Sequence, residues 1–149
     1  MTNNDSLRRL RYALNINDET VAEIMALTGR TTTSEEVVNW LKREDEPGYS
    51  PLSDPDLCRF LDGLIIKKRG PHPSGKIPEP LEFVSNNEIL KKLRIALELK
   101  EDGMLSVFNK ADFKVTSAEL GSFFRKEGHR NYRKVPEQVL RKFIHGLSV

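Results

Sequence analysis

The sequence predicts an all-α fold of two homologous four-helix modules that are related by a pseudo-two-fold axis. Apolar residues recur at helical spacing, and apart from residues 81–84 no stretch alternates with the period of a strand. The same helix pattern occurs twice along the chain, and helix-start signals precede the apolar stripes in both copies.

The internal repeat is the strongest feature of the sequence. A shift of 83 positions aligns residues 3–64 with residues 86–147 without a gap, and 16 of the 62 paired positions are identical. We assign residues 1–68 to a first helical repeat and residues 86–149 to a second. Residues 69–85 form a Pro/Gly linker, because four prolines and two glycines between residues 69 and 80 prevent a regular helix.

Each repeat is small for an independent domain, because chains of about 60 residues bury only about 60% of their unfolded surface. We therefore expect the two repeats to dock and share one core. Two separately folded modules on a flexible tether are the alternative, which the linker composition also permits.

The first helix of each repeat carries a leucine stripe. Leu7, Leu10 and Leu14 fall on one helical face, and leucines occupy the equivalent positions of the second repeat. Asn4 and Asn87 are predicted as the N-caps, because asparagine is favoured there and an acidic residue follows each of them.

The second helix begins near Asp18 and, in the second repeat, near Glu101. Gly29 is predicted to follow its end in the left-handed conformation. Asp112 stands at the same position of the second repeat, and aspartate tolerates that conformation better than most residues.

The third helix has the clearest start. Thr33 and Glu36 have the spacing of a capping box, as do Thr116 and Glu119, and apolar residues follow each pair. Both copies are therefore predicted to begin a helix directly after the threonine.

A turn and a fourth helix complete each repeat. Gly48, after a proline, suits a type II turn, and Asn131 at the same position of the second repeat is predicted to take a positive φ. The fourth helix begins near Asp54–Pro55 or Pro136–Glu137. A glycine inside its apolar stripe, Gly63 or Gly146, indicates a close approach of two helices.

Four strings of the sequence carry a family resemblance. They are NNDSLRRLRYAL from residue 3, WLKREDEPGY from residue 40, FLDGLI from residue 60 and NYR from residue 131. With them the chain resembles the YehS-like family of small duplicated bacterial proteins of unknown function, over nearly its whole length. The resemblance implies the duplicated architecture and a bacterial cytoplasmic origin. It brings no activity, cofactor or catalytic residue.

Composition excludes several classes of protein. One cysteine among 149 residues rules out an intrachain disulfide framework and a multi-cysteine metal site. No apolar run reaches the length of a membrane span, and the first residues lack the apolar stretch of a signal peptide. We therefore expect a soluble cytoplasmic protein with no membrane contact.

The sequence shows no catalytic or metal-binding constellation. It lacks a phosphate-binding glycine loop, a nucleophile elbow and a metalloprotease motif, and its three histidines have no partners at metal-ligand spacing. The acidic run at residues 44–46 is interpreted as a solvated loop. We predict no enzyme activity, no cofactor and no metal.

Three further residues are interpreted as structural. Cys58 lies beside the apolar stripe of the fourth helix, where a small hydrophobic thiol is favoured over a reactive one. Trp40 and Phe123 occupy the same position of the two repeats and are predicted to belong to the core.

Charge distinguishes the two copies. Residues 40–60 contain three basic and five acidic residues, a net charge of −2, whereas residues 123–143 contain seven basic and two acidic residues, a net charge of +5. The apolar positions of the two segments match, so the packing of the core does not require this difference. We infer that something outside the core does.

The leading hypothesis is that the basic segment binds nucleic acid, RNA ahead of DNA, because Lys and Arg neutralise phosphates and aromatic rings stack on unpaired bases. Further basic residues lie on the first helix of each repeat and at the end of the fourth. The predicted nucleic-acid-binding residues are Arg125, Lys126, His129, Arg130, Tyr132, Arg133, Lys134, Arg141 and Lys142.

Two alternatives stay open. The acidic and basic segments would serve as complementary protein surfaces, in an adaptor or a homo-oligomer, or the charges would simply be solvated. A helix-turn-helix is disfavoured, because the turn from Gly29 to Ser34 is longer than the DNA-binding motif allows. Arg11 and Arg94 are assigned either to phosphate contacts or to the support of a carboxylate such as Glu36 or Glu119.

Overall fold

The computed structural model describes residues 1–149, which form eight helices and no strand. The all-α prediction and the count of four helices per repeat are confirmed. Each helix of the second repeat begins 83 positions after its counterpart in the first. The helices are α1 (Asn3–Ala13), α2 (Asp18–Leu27), α3 (Ser34–Leu41), α4 (Asp54–Arg69), α5 (Asn86–Ala96), α6 (Glu101–Lys110), α7 (Ser117–Phe123) and α8 (Glu137–Ser148).

The two repeats dock through their first and fourth helices. Helix α1 of the first repeat packs on α8 of the second, and α5 of the second packs on α4 of the first. Exchanging the repeats exchanges these two contacts, which is the pattern of a pseudo-two-fold axis. One core cluster of 27 buried residues contains side chains from both repeats. The alternative of two separate modules is therefore wrong.

The glycines of the fourth helices allow the close approach that the sequence predicts. A Cβ atom built on Gly63 would lie 2.2 Å from the carbonyl oxygen of Ile24 on α2. The equivalent atom on Gly146 would lie 2.0 Å from the carbonyl oxygen of Val107 on α6. Any side chain would therefore force the two helices of each pair apart.

The predicted N-caps of the first helices are wrong. Thr2 and Ser85 cap α1 and α5, each accepting from the backbone N–H three residues later, so Asn4 and Asn87 lie inside the first turn. Both residues before the asparagine pairs have the hydroxyl that an N-cap needs, and the helices begin at the earlier of two favourable positions.

Asn4 instead fastens the loop between α3 and α4. Its side-chain amide donates to the carbonyl oxygens of Trp40 at 2.9 Å and Ser50 at 2.8 Å. Its Oδ1 accepts from the backbone N–H of Leu52 at 3.0 Å and from the Tyr49 hydroxyl at 3.1 Å. Because Asn4 is only 2% exposed, these bonds satisfy a buried amide and fix the path of the loop.

Asn87 does the same in the second repeat. Its amide donates to the carbonyl oxygens of Phe123 at 3.1 Å and Arg133 at 2.8 Å, and its Oδ1 accepts from the N–H of Val135 at 2.9 Å. These partners are the counterparts of those of Asn4 at the 83-residue shift. The asparagine fastening is therefore a property of the repeat.

The third helices differ slightly in their caps. Thr33 and Glu36 form the complete predicted capping box. In the second repeat the Thr116 hydroxyl accepts from the Glu119 N–H. The Glu119 carboxylate, however, accepts from the Thr116 hydroxyl and not from the Thr116 backbone N–H. The predicted helix starts are confirmed, whereas the second box is only half formed.

The predicted left-handed residues are confirmed in part. Gly29 has φ 83° and Asp112 has φ 52°. Gly48 has φ 90°, as its turn requires, but Asn131 does not have a positive φ. In the second repeat the positive φ, 95°, lies at Gly128 in the preceding turn, so the prediction for Asn131 is wrong.

The predicted core residues are confirmed. Trp40 and Phe123 are buried, and so is Cys58. The Cys58 thiol accepts a hydrogen bond from the N–H of Leu81, and burial raises the pKa of the thiol. A buried thiol with a raised pKa is a poor nucleophile. Between α4 and α5 the chain forms no helix or strand.

Candidate functional site

The loop between α7 and α8 carries most of the predicted site. Two successive turns shape it: the N–H of His129 donates to the Lys126 carbonyl at 3.0 Å, and the N–H of Tyr132 donates to the His129 carbonyl at 2.9 Å. The N–H of Arg133 then donates to the Ser122 carbonyl on α7 at 3.0 Å. Together with the Asn87 fastening, these bonds hold the backbone that projects the cations.

Most of the cations of this segment have no carboxylate partner. Only Arg141 forms a salt bridge, with Glu137 at 3.4 Å. The other six basic residues of segment 123–143 form none, and five of them are exposed; these six are Arg125, Lys126, Arg130, Arg133, Lys134 and Lys142. The positive charge of the segment is therefore available to a ligand.

Three of these arginines meet in one groove. Arg125, Arg130 and Arg133 line a cavity of about 520 Å³ beside α7, which also contains Glu119 and Asn131. We call it the arginine groove. It places three guanidinium groups, each a fork of donors that fits a phosphate, around one space.

A second groove adjoins the first through Arg125. Tyr132 and Lys126 line it, together with Lys91 of α5 and Phe83 of the linker, and its volume is about 600 Å³. We call it the aromatic groove. Phe83 is 84% exposed, so its ring face is open to a ligand.

The remaining predicted residues lie outside the two grooves. The ring of His129 accepts a hydrogen bond from the N–H of Asn131 at 3.0 Å and so stabilises its own turn. Lys134, Arg141 and Lys142 line neither groove. Phe83 was not predicted from the sequence, because only the path of the linker brings it into the same groove as Tyr132.

The family of the chain can be decided from its sequence. Residues 3–70 and residues 86–149 both match one family model, described as a protein of unknown function, DUF1456. The chain belongs to the DUF1456 family. The two matched regions of this DUF1456 protein are its two structural repeats, so the family unit is one four-helix repeat.

A curated relative is similar over nearly the whole chain. The uncharacterized protein YehS of Escherichia coli strain K12 is 40% identical over 148 residues, which are 99% of this DUF1456 chain and 95% of the relative. The resemblance to the YehS-like family is thereby confirmed. No solved structure matches the chain. None of the eight helices combines the length and apolarity needed to span a membrane.

The first repeat of this DUF1456 protein has no basic groove at the equivalent place. Lys42, the counterpart of Arg125, donates to the Pro47 carbonyl at 2.7 Å and closes its own loop. Asp54 accepts from the N–H of Val84, and Asp56 forms salt bridges with arginines. Of the five acids of segment 40–60, only Asp56 forms salt bridges, and the acids at residues 44–46 are exposed.

Neither Arg11 nor Arg94 supports the carboxylates suggested from the sequence. Arg11 donates to Asp18 at 3.0 Å. Arg94 donates to the Leu99 carbonyl at 3.1 Å and lies 4.6 Å from the centre of the Phe124 ring. Arg11 therefore supports a carboxylate, as one alternative predicted, but Asp18 and not Glu36, whereas Arg94 supports none; each arginine finds a partner closer in sequence.

Arg30 binds Glu36 instead, at 2.8 Å. This contact lowers the pKa of Glu36 and raises that of Arg30. No group of three or more His, Cys, Asp or Glu side chains is arranged to hold a metal ion.

Proposed function

We propose that this chain is a non-enzymatic cytoplasmic protein that binds single-stranded nucleic acid, RNA ahead of DNA, through the loop between α7 and α8. The observation that carries the proposal is the convergence of Arg125, Arg130 and Arg133 in one groove without a salt-bridge partner. Phosphates of a nucleic acid would supply the missing counter-charges.

The adjoining aromatic groove supports a single strand as the ligand. Tyr132 and Phe83 offer ring faces on which unpaired bases stack, and such stacking contributes about 1–3 kcal/mol per base. Bases in a duplex already stack on each other and are not available to these rings. Arg125 lines both grooves, so one strand could place a phosphate and a base side by side.

Salt dependence gives a quantitative expectation. If Arg125, Lys126, Arg130 and Arg133 each neutralise one phosphate, the slope of log affinity against log salt is about −2.8 for a single strand. Raising the salt from about 50 mM to about 200 mM then weakens binding about fifty-fold. Stacking alone would leave the affinity nearly unchanged.

The test is fluorescence anisotropy with labelled oligouridylate and oligothymidylate. The variant changes Arg125, Arg130 and Arg133 to Ala. A matched control changes three cations outside both grooves, Lys100, Lys110 and Lys114, to Ala; all three are exposed and form no salt bridge. We expect the first variant to lose binding and the control to keep most of it. Equal losses, or no binding by the unmodified protein at low salt, would refute the proposal.

One observation favours a second candidate, a protein adaptor or homo-oligomer. The acids at residues 44–46 are exposed and form no salt bridge, and they lie in the loop between α3 and α4, which is the counterpart of the basic loop between α7 and α8. Head-to-tail association would join the two surfaces.

Light scattering tests the homo-oligomer. This function is supported by an oligomer that dissociates with salt and that does not form in a Glu44→Ala, Asp45→Ala, Glu46→Ala variant. A monomer at low salt excludes the homo-oligomer. A complex that survives nuclease treatment in a pull-down would support a heterologous partner.

A further inference from the structure

The pseudo-two-fold axis creates two related crevices. One lies between α4 and α5 and the other between α8 and α1, and each joins the fourth helix of one repeat to the first helix of the other. We call the first the closed crevice and the second the open crevice. Three positions that line one crevice correspond at the 83-residue shift to positions that line the other, Asp62 to His145, Ile65 to Ser148 and Ile95 to Tyr12, so the two crevices can be compared residue by residue there.

The closed crevice is neutralised from within. Asp62 of α4 is 4% exposed, and its carboxylate accepts from the Lys92 ammonium of α5 at 2.6 Å. The linker runs over this place: Pro71, Pro73 and other linker residues wall a cavity above Asp62. The Lys92 ammonium and the Asp62 carboxylate therefore neutralise each other beneath the linker.

The open crevice has the base without the acid. Arg9 stands at the position of Lys92, and His145 stands at the position of Asp62. No linker crosses this side, and both residues are exposed on a cavity of about 480 Å³. Arg8 and Arg43 line the same cavity.

The open crevice contains little negative charge to balance these cations. Asp5 is the only acid in its lining, and Asp5 is already paired with Arg8. Arg9, Arg43 and His145 form no salt bridge. The guanidinium groups of Arg9 and Arg43 repel each other across this space, and an anion placed between them removes this repulsion.

We propose that the open crevice binds a small oxyanion, a phosphoryl group or a carboxylate, which takes the place that the Asp62 carboxylate occupies in the closed crevice. Arg9 and His145 would donate to it from the two helices, with Arg43 at the rim. The site shares no residue with the arginine or aromatic groove, so it stands apart from the proposed nucleic-acid interface.

Two anions probe the site: pyrophosphate for a phosphoryl ligand and citrate for a carboxylate ligand. Each is titrated at low salt into the isotopically labelled full chain, and amide chemical shifts are followed by NMR. We expect saturable shifts at Arg9, Tyr12 and His145 with at least one anion, and the anion that saturates identifies the ligand chemistry. Linear, unsaturated shifts with both anions would overturn the proposal.

Three variants make the test specific. Arg9→Gln should lower the affinity for the anion about tenfold, as expected for loss of a charged hydrogen-bond donor. Lys67→Gln removes one exposed cation from α4, outside the crevice, and should leave the affinity unchanged. His145→Asp recreates the acid–base pair of the closed crevice and should abolish binding without lowering the melting temperature. Equal affinities of the Arg9 and Lys67 variants, or full affinity of the His145 variant, would refute the assignment.

Discussion

The asparagine fastenings of the two repeats can be tested by removing each in turn. Asn4→Ala deletes four hydrogen bonds and Asn87→Ala deletes three. Each bond contributes about 1 kcal/mol net. Each substitution also adds about 0.6 kcal/mol to the free energy of unfolding, because alanine is a better helix former than asparagine. The expected losses in the free energy of unfolding are about 3 kcal/mol for Asn4→Ala and about 2 kcal/mol for Asn87→Ala.

Urea unfolding followed by circular dichroism measures both losses. Asn109→Ala is the control, because Asn109 lies exposed on α6 and its side chain forms no hydrogen bond. It should be neutral or slightly stabilising. A larger loss for Asn87→Ala than for Asn4→Ala would contradict this expectation, because the Asn4 side chain is the more deeply buried and carries the extra bond. Losses smaller than the error of the measurement in both variants would contradict it too.

Three other expectations concern single side chains. Gly63→Ala should lower stability by about 1–3 kcal/mol, because the new methyl group meets a backbone carbonyl that cannot rotate away; thermal unfolding measures it. Glu36→Gln should lower stability by less than about 1 kcal/mol at neutral pH. Because Arg30 lowers the pKa of Glu36, this difference should vanish as the pH falls below 4.5 and through the folded pKa, which unfolding at several pH values would show. Cys58 should react with a thiol reagent only as the protein unfolds, and rapid labelling of the native protein would contradict its burial.

Local patterns in the sequence were sufficient for much of the fold. The capping box at Thr33, the close approach at Gly63 and the positive φ of Gly29 each depend on a few neighbouring residues or on the repeat itself. The N-cap prediction was wrong because Thr2 and Asn4 are both good caps, and the choice between them depends on which other groups the Asn4 side chain bonds. Those groups are the backbone of Ser50 and Leu52, more than 40 positions away.

The candidate sites depend more on distant contacts. The sequence showed where charge is concentrated, but not that Asp56 forms salt bridges with two arginines while residues 44–46 form none. It could not show that Phe83 joins Tyr132 in one groove, because a linker rich in proline has many paths. The pairing of Asp62 with Lys92 joins different repeats and leaves no periodic signal.

The exchanged packing of α1 on α8 and α5 on α4 has a thermodynamic consequence. It is the arrangement of a symmetric dimer whose subunits have been joined by a tether of 16 residues, 70–85. The association of two separate repeats would depend on their concentration, whereas the tether keeps the second repeat at an effective concentration on the order of millimolar. Once pairing is guaranteed in this way, the two outer faces no longer have to be identical, and one molecule can present different chemistry on each side.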